Sequence, residues 1–201
     1  MYFVENTRKP VGFGGKLMVA AMNLGHQALA RWGMGFLNVG PEAEILDCGC
    51  GGGANLHALL KRCPKGTAVG LDYSPVSVAA SRKKNRAAIA AGRCRVEQGD
   101  VSALPFEDEK FDLATAFETV YFWPDLGGSF REVYRVLKSG GTFLICNESN
   151  GDTDRDEKWA KIIGGMTIYK DIELKAYLEQ AGFHEVQIHK KKSWLCVTAR
   201  K

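Results

Sequence analysis

The stretch Ile45-Leu46-Asp47-Cys48-Gly49-Cys50-Gly51-Gly52-Gly53-Ala54-Asn55-Leu56 constrains this chain more than any other. An apolar pair runs into an acid, then glycines crowd positions 49–53, then helix formers resume. That order reads as a buried strand, a glycine loop and the start of a helix. Glycine lacks a Cβ, so such a loop can adopt positive φ and let a ligand touch the backbone. The helix that follows aims its free N–H groups at the same place. A loop of this type holds a nucleotide-like cofactor. Gly49-x-Gly51-x-x-Ala54 also fits the dinucleotide fingerprint, with Asp72 at the spacing of a ribose acid, so the rest of the chain has to choose between cofactors.

From residue 44 onward strands and helices alternate. Strands are expected at 45–48, 68–71, 95–98, 111–117 and 142–147. Helices are expected at 54–61, at 74–91 behind a Ser74 cap with Pro75 in the first turn, at 125–137 and at 171–181. Gly140-Gly141 forms the turn before the fifth strand. Two strands, 183–189 and 194–199, close the chain with no helix between them, so they form a hairpin and one runs against the rest. The expected fold is α/β: a Rossmann-like, doubly wound, mostly parallel seven-stranded sheet ending in an antiparallel hairpin. Upstream, Leu17, Ala21, Leu24, Ala28 and Trp32 recur at helical spacing. They define an N-terminal helical lid over 1–38, with the main domain at 39–201.

The 201 residues suffice for one well-buried core. No apolar run approaches the roughly 20 residues that span a bilayer, and residues 1–10 have no apolar core of an export signal. The six cysteines form no CxxC pair and do not cluster with the four histidines. They read as reduced, buried side chains of a cytoplasmic protein. A net charge of +4, with basic runs no longer than three residues, does not call for a nucleic-acid surface.

Five motifs then arrive in order: the glycine loop, Gly70-Leu71-Asp72-Tyr73-Ser74, Gly99-Asp100-Val101, Leu104-Pro105-Phe106 with Phe111-Asp112-Leu113, and Leu137-Lys138-Ser139-Gly140-Gly141-Thr142. With these the chain resembles the class I S-adenosylmethionine-dependent methyltransferases, in the small-molecule branch called methyltransferase type 11. The resemblance covers about residues 40–200. It implies S-adenosyl-L-methionine as cofactor. It places Asp47, Gly49 and Gly51 at the methionine end, Asp72 on both ribose hydroxyls, Tyr73 beside the adenine, Asp100 on the adenine amino group and Val101 near the ring. Phe117, at the end of the fourth strand, belongs to the same cofactor set. The dinucleotide reading leaves Gly99-Asp100-Val101 and the closing hairpin unexplained.

The loop after strand four, Phe117-Glu118-Thr119-Val120-Tyr121-Phe122-Trp123-Pro124, lies beside the transferred methyl in this family. It lacks the Asn/Asp-Pro-Pro-aromatic pattern of base amino-methyltransferases. Glu118 has no evident partner set in the sequence, so no metal is expected. Tyr121 and Trp123 are candidate substrate contacts, joined by Asn23 and Trp32 from the lid. Glu118, Tyr121 and His26 are the candidate catalytic groups. The reading is transfer of a methyl to the N, O, S or C atom of a small molecule. RNA or protein methylation and cofactor binding without chemistry are the alternatives; the substrate and the oligomeric state stay open.

Overall fold

The computed structural model describes Gly12, Gly14 and residues 26–201, apart from the side chains of Asp154, Arg155 and Glu157. The lid helix upstream of residue 26, with Asn23, lies outside the described residues. Strand runs that are apolar on both faces need a cover on both faces, and the sheet has one. Ile45 and Leu113 point into a core with Leu56, Leu59, Leu144 and Cys196. Their neighbours Leu46 and Ala114 point into the opposite core with Phe111, Phe130, Val133, Phe143 and Leu174. This alternation is the two-residue period of a strand, repeated across the sheet.

Among the described residues seven strands make one sheet: β1 Glu44–Cys48, β2 Thr67–Asp72, β3 Cys94–Gln98, β4 Phe111–Phe117, β5 Leu137–Asn147, β6 His184–Lys191 and β7 Trp194–Arg200. Their order is β3-β2-β1-β4-β5-β7-β6. The first five run parallel and β7 enters antiparallel beside β5, with Cys146 opposite Cys196. The expected hairpin is therefore present, and its second strand is the one inserted into the sheet. The described helices are α1 Gln27–Gly33, α2 Ala54–Arg62, α3 Pro75–Lys84, α4 Arg86–Ala90, α5 Leu126–Val136, α6 Asp154–Ile162 and α7 Asp171–Gln180. Leu29 and Ala30 of α1 join the first core; α5 and α7 supply Phe130, Val133, Leu174 and Leu178 to the second.

Three local expectations change. The helix expected over 74–91 breaks at Asn85. Its buried amide nitrogen donates to Gly53 O at 3.1 Å and Ser81 O at 3.0 Å, tying the helix end to the glycine loop. Strand five begins at Leu137, because Leu137 pairs with Phe111 ahead of a register shift, and Gly140 turns within that irregularity at φ 76°. Helix α6 was not expected at all. The Thr153 hydroxyl caps it by accepting from Asp156 N at 3.3 Å, a polar signal that carries no apolar stripe.

Candidate functional site

The parallel strands β1 to β4 all release their chains at one edge of the sheet, and the acids expected from the sequence gather there. Asp47 is 1% exposed. It sits opposite Thr115 of β4, whose hydroxyl donates to Asp47 Oδ1 at 2.8 Å. Its other oxygen, Oδ2, is buried and has no hydrogen-bond partner among the described residues. Burial pushes the Asp47 carboxyl up to about 7; the Thr115 hydroxyl opposes this and the nearby Asp72 adds to it.

Asp72, 7% exposed, ends β2. Its Oδ2 accepts from Gly51 N at 2.8 Å and its Oδ1 from Ser74 N at 2.9 Å. The carboxylate thus clamps the glycine loop to the start of α3. Burial raises its pKa, and these backbone donors pull against the rise. The Ser77 side chain adds a third hydrogen bond to this carboxylate. Gly49, at φ 74°, cannot be replaced cheaply. A Cβ there would meet the Thr119 hydroxyl at 2.1 Å.

A cavity of about 270 Å³ opens between these groups. It is lined by Gly49, Asp72, Tyr73, Asp100, Thr119 and Trp123, with Leu71, Gly99, Val101, Phe122 and Pro124 completing the wall. Asp100 Oδ1 accepts from the amide and hydroxyl of Ser102, at 2.9 and 2.8 Å. That bond caps the 3-10 turn Val101–Ala103 and fixes the acid at the cavity rim.

A second cluster forms after β4 and β5. Glu118 holds φ 58°, in the left-handed region that an L side chain enters at a cost. Its Oε1 accepts from the Glu148 amide and lies 3.2 Å from the Tyr121 hydroxyl. That hydroxyl in turn accepts from Ser149 N at 2.9 Å. His26 Nε2 lies 3.8 Å from Glu118 Oε2 and 3.6 Å from Glu148 Oε2. Burial pushes the Glu118 carboxyl up to about 8, and the Glu148 charge adds to it. Burial also raises the Tyr121 phenol far above its ordinary value and lowers His26, keeping the imidazole neutral.

Residues 46–145 match the model of the methyltransferase domain family. The chain is 35% identical over 147 residues to the demethylmenaquinone methyltransferase of Roseiflexus castenholzii, covering 73% of this chain and 60% of that protein. It is 31% identical over 160 residues to the cycloartenol-C-24-methyltransferase of Arabidopsis thaliana, covering 75% and 47%. A solved S-adenosylmethionine-dependent methyltransferase from Aquifex aeolicus superposes with TM-score 0.76 at 18% identity, over 92% of this chain and 97% of that one.

The chain belongs to the class I S-adenosylmethionine-dependent methyltransferases. It spans about a third to three fifths of the length of the first curated relatives it matches. The methyltransferase cofactor suits the residues present. The buried, unpartnered Asp47 Oδ2 offers an acceptor to an ammonium, and Asp72 presents a carboxylate in the cavity wall to a vicinal diol.

Of the residues expected from the sequence, Gly49, Asp72, Tyr73, Asp100, Val101 and Trp123 line the methyltransferase cavity. Gly51 stands behind it, bonded to the lining carboxylate of Asp72, whereas Asp47 is not in the wall and bonds to Thr115 of β4. Glu118, Tyr121 and His26 come together beyond Thr119. Phe117 and Trp32 do not reach the cavity wall. Phe117 packs with α1 in the first core, where a Cβ on Gly33 would touch it at 3.5 Å. Trp32 packs on Trp194 and Phe36 against the closing hairpin, with ring centroids 5.8 and 5.2 Å away. Sequence reasoning missed Thr115, Thr119 and Glu148. Glu148 directly follows β5 as Glu118 directly follows β4, and that parallel was the available signal.

Proposed function

We propose that the chain transfers the methyl group of S-adenosylmethionine to a small, largely apolar acceptor that gives up a proton. The observation that carries this reading is the division of the acids about Thr119. Asp72 and Asp100 line the cavity on one side, and Glu118, with a pKa of about 8, stands next to Thr119 in sequence on the other. The cycloartenol and demethylmenaquinone methyltransferases to which the chain is similar support a small, apolar acceptor.

The bound cofactor supplies an already activated methyl, so the protein's task is mostly positioning. Asp47 Oδ2 would hold the ammonium and Asp72 the ribose hydroxyls. Asp100 would take the adenine amino group, with Tyr73 and Val101 beside the ring. Gly49 and Gly51 let the backbone come close. Tyr121, Phe122 and Trp123 present aromatic faces to the acceptor and the cation. Glu118 accepts the acceptor's proton, held in place by the Tyr121 hydroxyl. The lid expected over 1–38 is proposed to serve the acceptor, with Asn23, outside the described residues, among its contacts; Trp32 packs on the closing hairpin. No described helix is long and apolar enough to cross a membrane. The six cysteines, free and buried, favour a reducing cytoplasm.

The test is twofold. S-adenosylhomocysteine should raise the thermal midpoint and NAD should leave it unmoved. Labelled S-adenosylmethionine should then pass its methyl to a short-chain demethylmenaquinol or a sterol in preference to RNA or protein. A midpoint that responds to NAD alone would sink the cofactor assignment, and labelled RNA or protein would sink the acceptor class.

A further inference from the structure

We propose that His26 and Glu148 form a proton exit that carries the acceptor's proton from Glu118 to solvent; this rests on the reading of Glu118 as the proton acceptor. A base in the site must be emptied after every turnover, and the Tyr121 hydroxyl is already engaged by the Ser149 backbone. The other carboxylate oxygen faces outward. Glu118 Oε2, His26 Nε2 and Glu148 Oε2 follow one another at 3.8 and 3.6 Å. Their side chains are 13%, 30% and 49% exposed in that order. The path thus climbs from the buried site to water. The backbone fixes it as well, because the Glu148 amide holds Glu118 Oε1 and leaves Oε2 to turn toward the imidazole.

The chemistry balances without any further reactant. The acceptor's proton protonates the Glu118 carboxylate as the new bond to the methyl forms. Neutral His26 takes that proton on Nε2, restoring the carboxylate and becoming an imidazolium. It gives the same proton to the Glu148 carboxylate, which releases it to water. Each gap is slightly longer than a hydrogen bond, a separation spanned by a small ring rotation or one water. No lysine or arginine pairs with either carboxylate among the described residues, and a fixed cation there would hold both ionised and block the transfer. The groups facing Glu118 are His26 before α1, Tyr121 after β4, Cys146 on β5 and Glu148 behind it. The hydrogen bond with Cys196, and after it burial, push the Cys146 thiol up, so it stays neutral.

The experiment uses the full chain with labelled glutamate, in wild type, Glu148→Gln and His26→Ala. Carboxyl NMR should find Glu118 titrating near 8 in wild type, and Glu148→Gln should lower that midpoint by removing a like charge. Turnover should fall about tenfold or more in His26→Ala and recover in part with added imidazole, while calorimetry finds S-adenosylhomocysteine bound equally by all three. If wild type binds no S-adenosylhomocysteine, the cofactor reading fails and the exit falls with it. If binding is intact but Glu118 titrates in the ordinary carboxylate range, or His26→Ala turns over at the full rate, the exit alone is overturned. Stoichiometric binding of added Zn²⁺ that removes the Glu118 titration would overturn it too, making the trio a cation cage.

Discussion

The cavity and the cluster beyond Thr119 are built differently. At the cavity Asp72 and Asp100 are held by backbone amides of the turns beside them, while Asp47 is held across the sheet by the Thr115 hydroxyl. Asp72 accepts from Gly51 N and Ser74 N, and Asp100 accepts from Ser102 N. On the acceptor side, Glu118 is set by residues distant in sequence: the amide of Glu148, 30 positions on, and His26 from before α1. A ligand that never changes suits a frame made of turns and strand ends. A proton that must arrive and leave suits a cluster assembled from separate elements, one of them in the segment proposed to close over the site.

The strongest way to break this comparison is at Glu118. Glu118→Gln keeps the shape and the bond from the Glu148 amide but removes the base. Turnover should fall on the order of 10²–10⁴-fold, the usual worth of a positioned base, while S-adenosylhomocysteine affinity stays within about twofold. A variant with near-normal turnover would mean that positioning alone drives the transfer.

Asp72→Ala should do the reverse. It removes two charge-assisted acceptors and frees both Gly51 N and Ser74 N, at a cost of about 2–4 kcal/mol in cofactor affinity. With saturating cofactor the turnover number should largely recover. Unchanged affinity by calorimetry would reduce Asp72 to a turn former.

The same contrast explains what could be read from the sequence. The five parallel strands and the acids at their ends were legible because each signal is short: an apolar run, then a glycine or an acid at the strand end. Asn85 was not, because its reason for breaking a helix is a carbonyl 32 residues away in the glycine loop. The cluster about Glu118 was only half legible. Its three candidate groups were named, but Glu148 and the geometry that joins them depend on β5 lying next to β4. Trp32 has helical spacing that suits a lid, yet its ring finds Trp194, a partner on the closing hairpin that no local pattern announces.

Gly49→Ala probes the seam between the two sides. Positive φ strains any L residue there, and the new methyl would press on the Thr119 side chain. That side chain accepts from Trp123 Nε1 at 3.3 Å, so the push is passed to the acceptor wall. A loss of about 2 kcal/mol in stability is expected, measured by urea denaturation, together with weaker S-adenosylhomocysteine binding. Wild-type stability and binding would show that Thr119 moves freely and that the two sides are not coupled there.

The last test starts from the pH dependence of the protein without cofactor. Asp47 at about 7 and Glu118 at about 8 both lie above their unfolded carboxyl values. The folded state therefore binds more protons than the unfolded chain across this window, and stability falls as pH rises from about 4 toward 8. The thermal midpoint should drop by on the order of 10 °C between pH 5 and 8. The two acids should then part company when cofactor product binds. An ammonium against the unpartnered Asp47 Oδ2 favours its ionised form, so binding near pH 6 should release a fraction of a proton, read by calorimetry in buffers of different ionisation enthalpy. In Asp47→Asn that release should vanish, whereas Glu118→Gln should leave it intact. Release that disappears with Glu118→Gln instead would put the ligand's positive charge on the acceptor side of Thr119 and undo the division of the site.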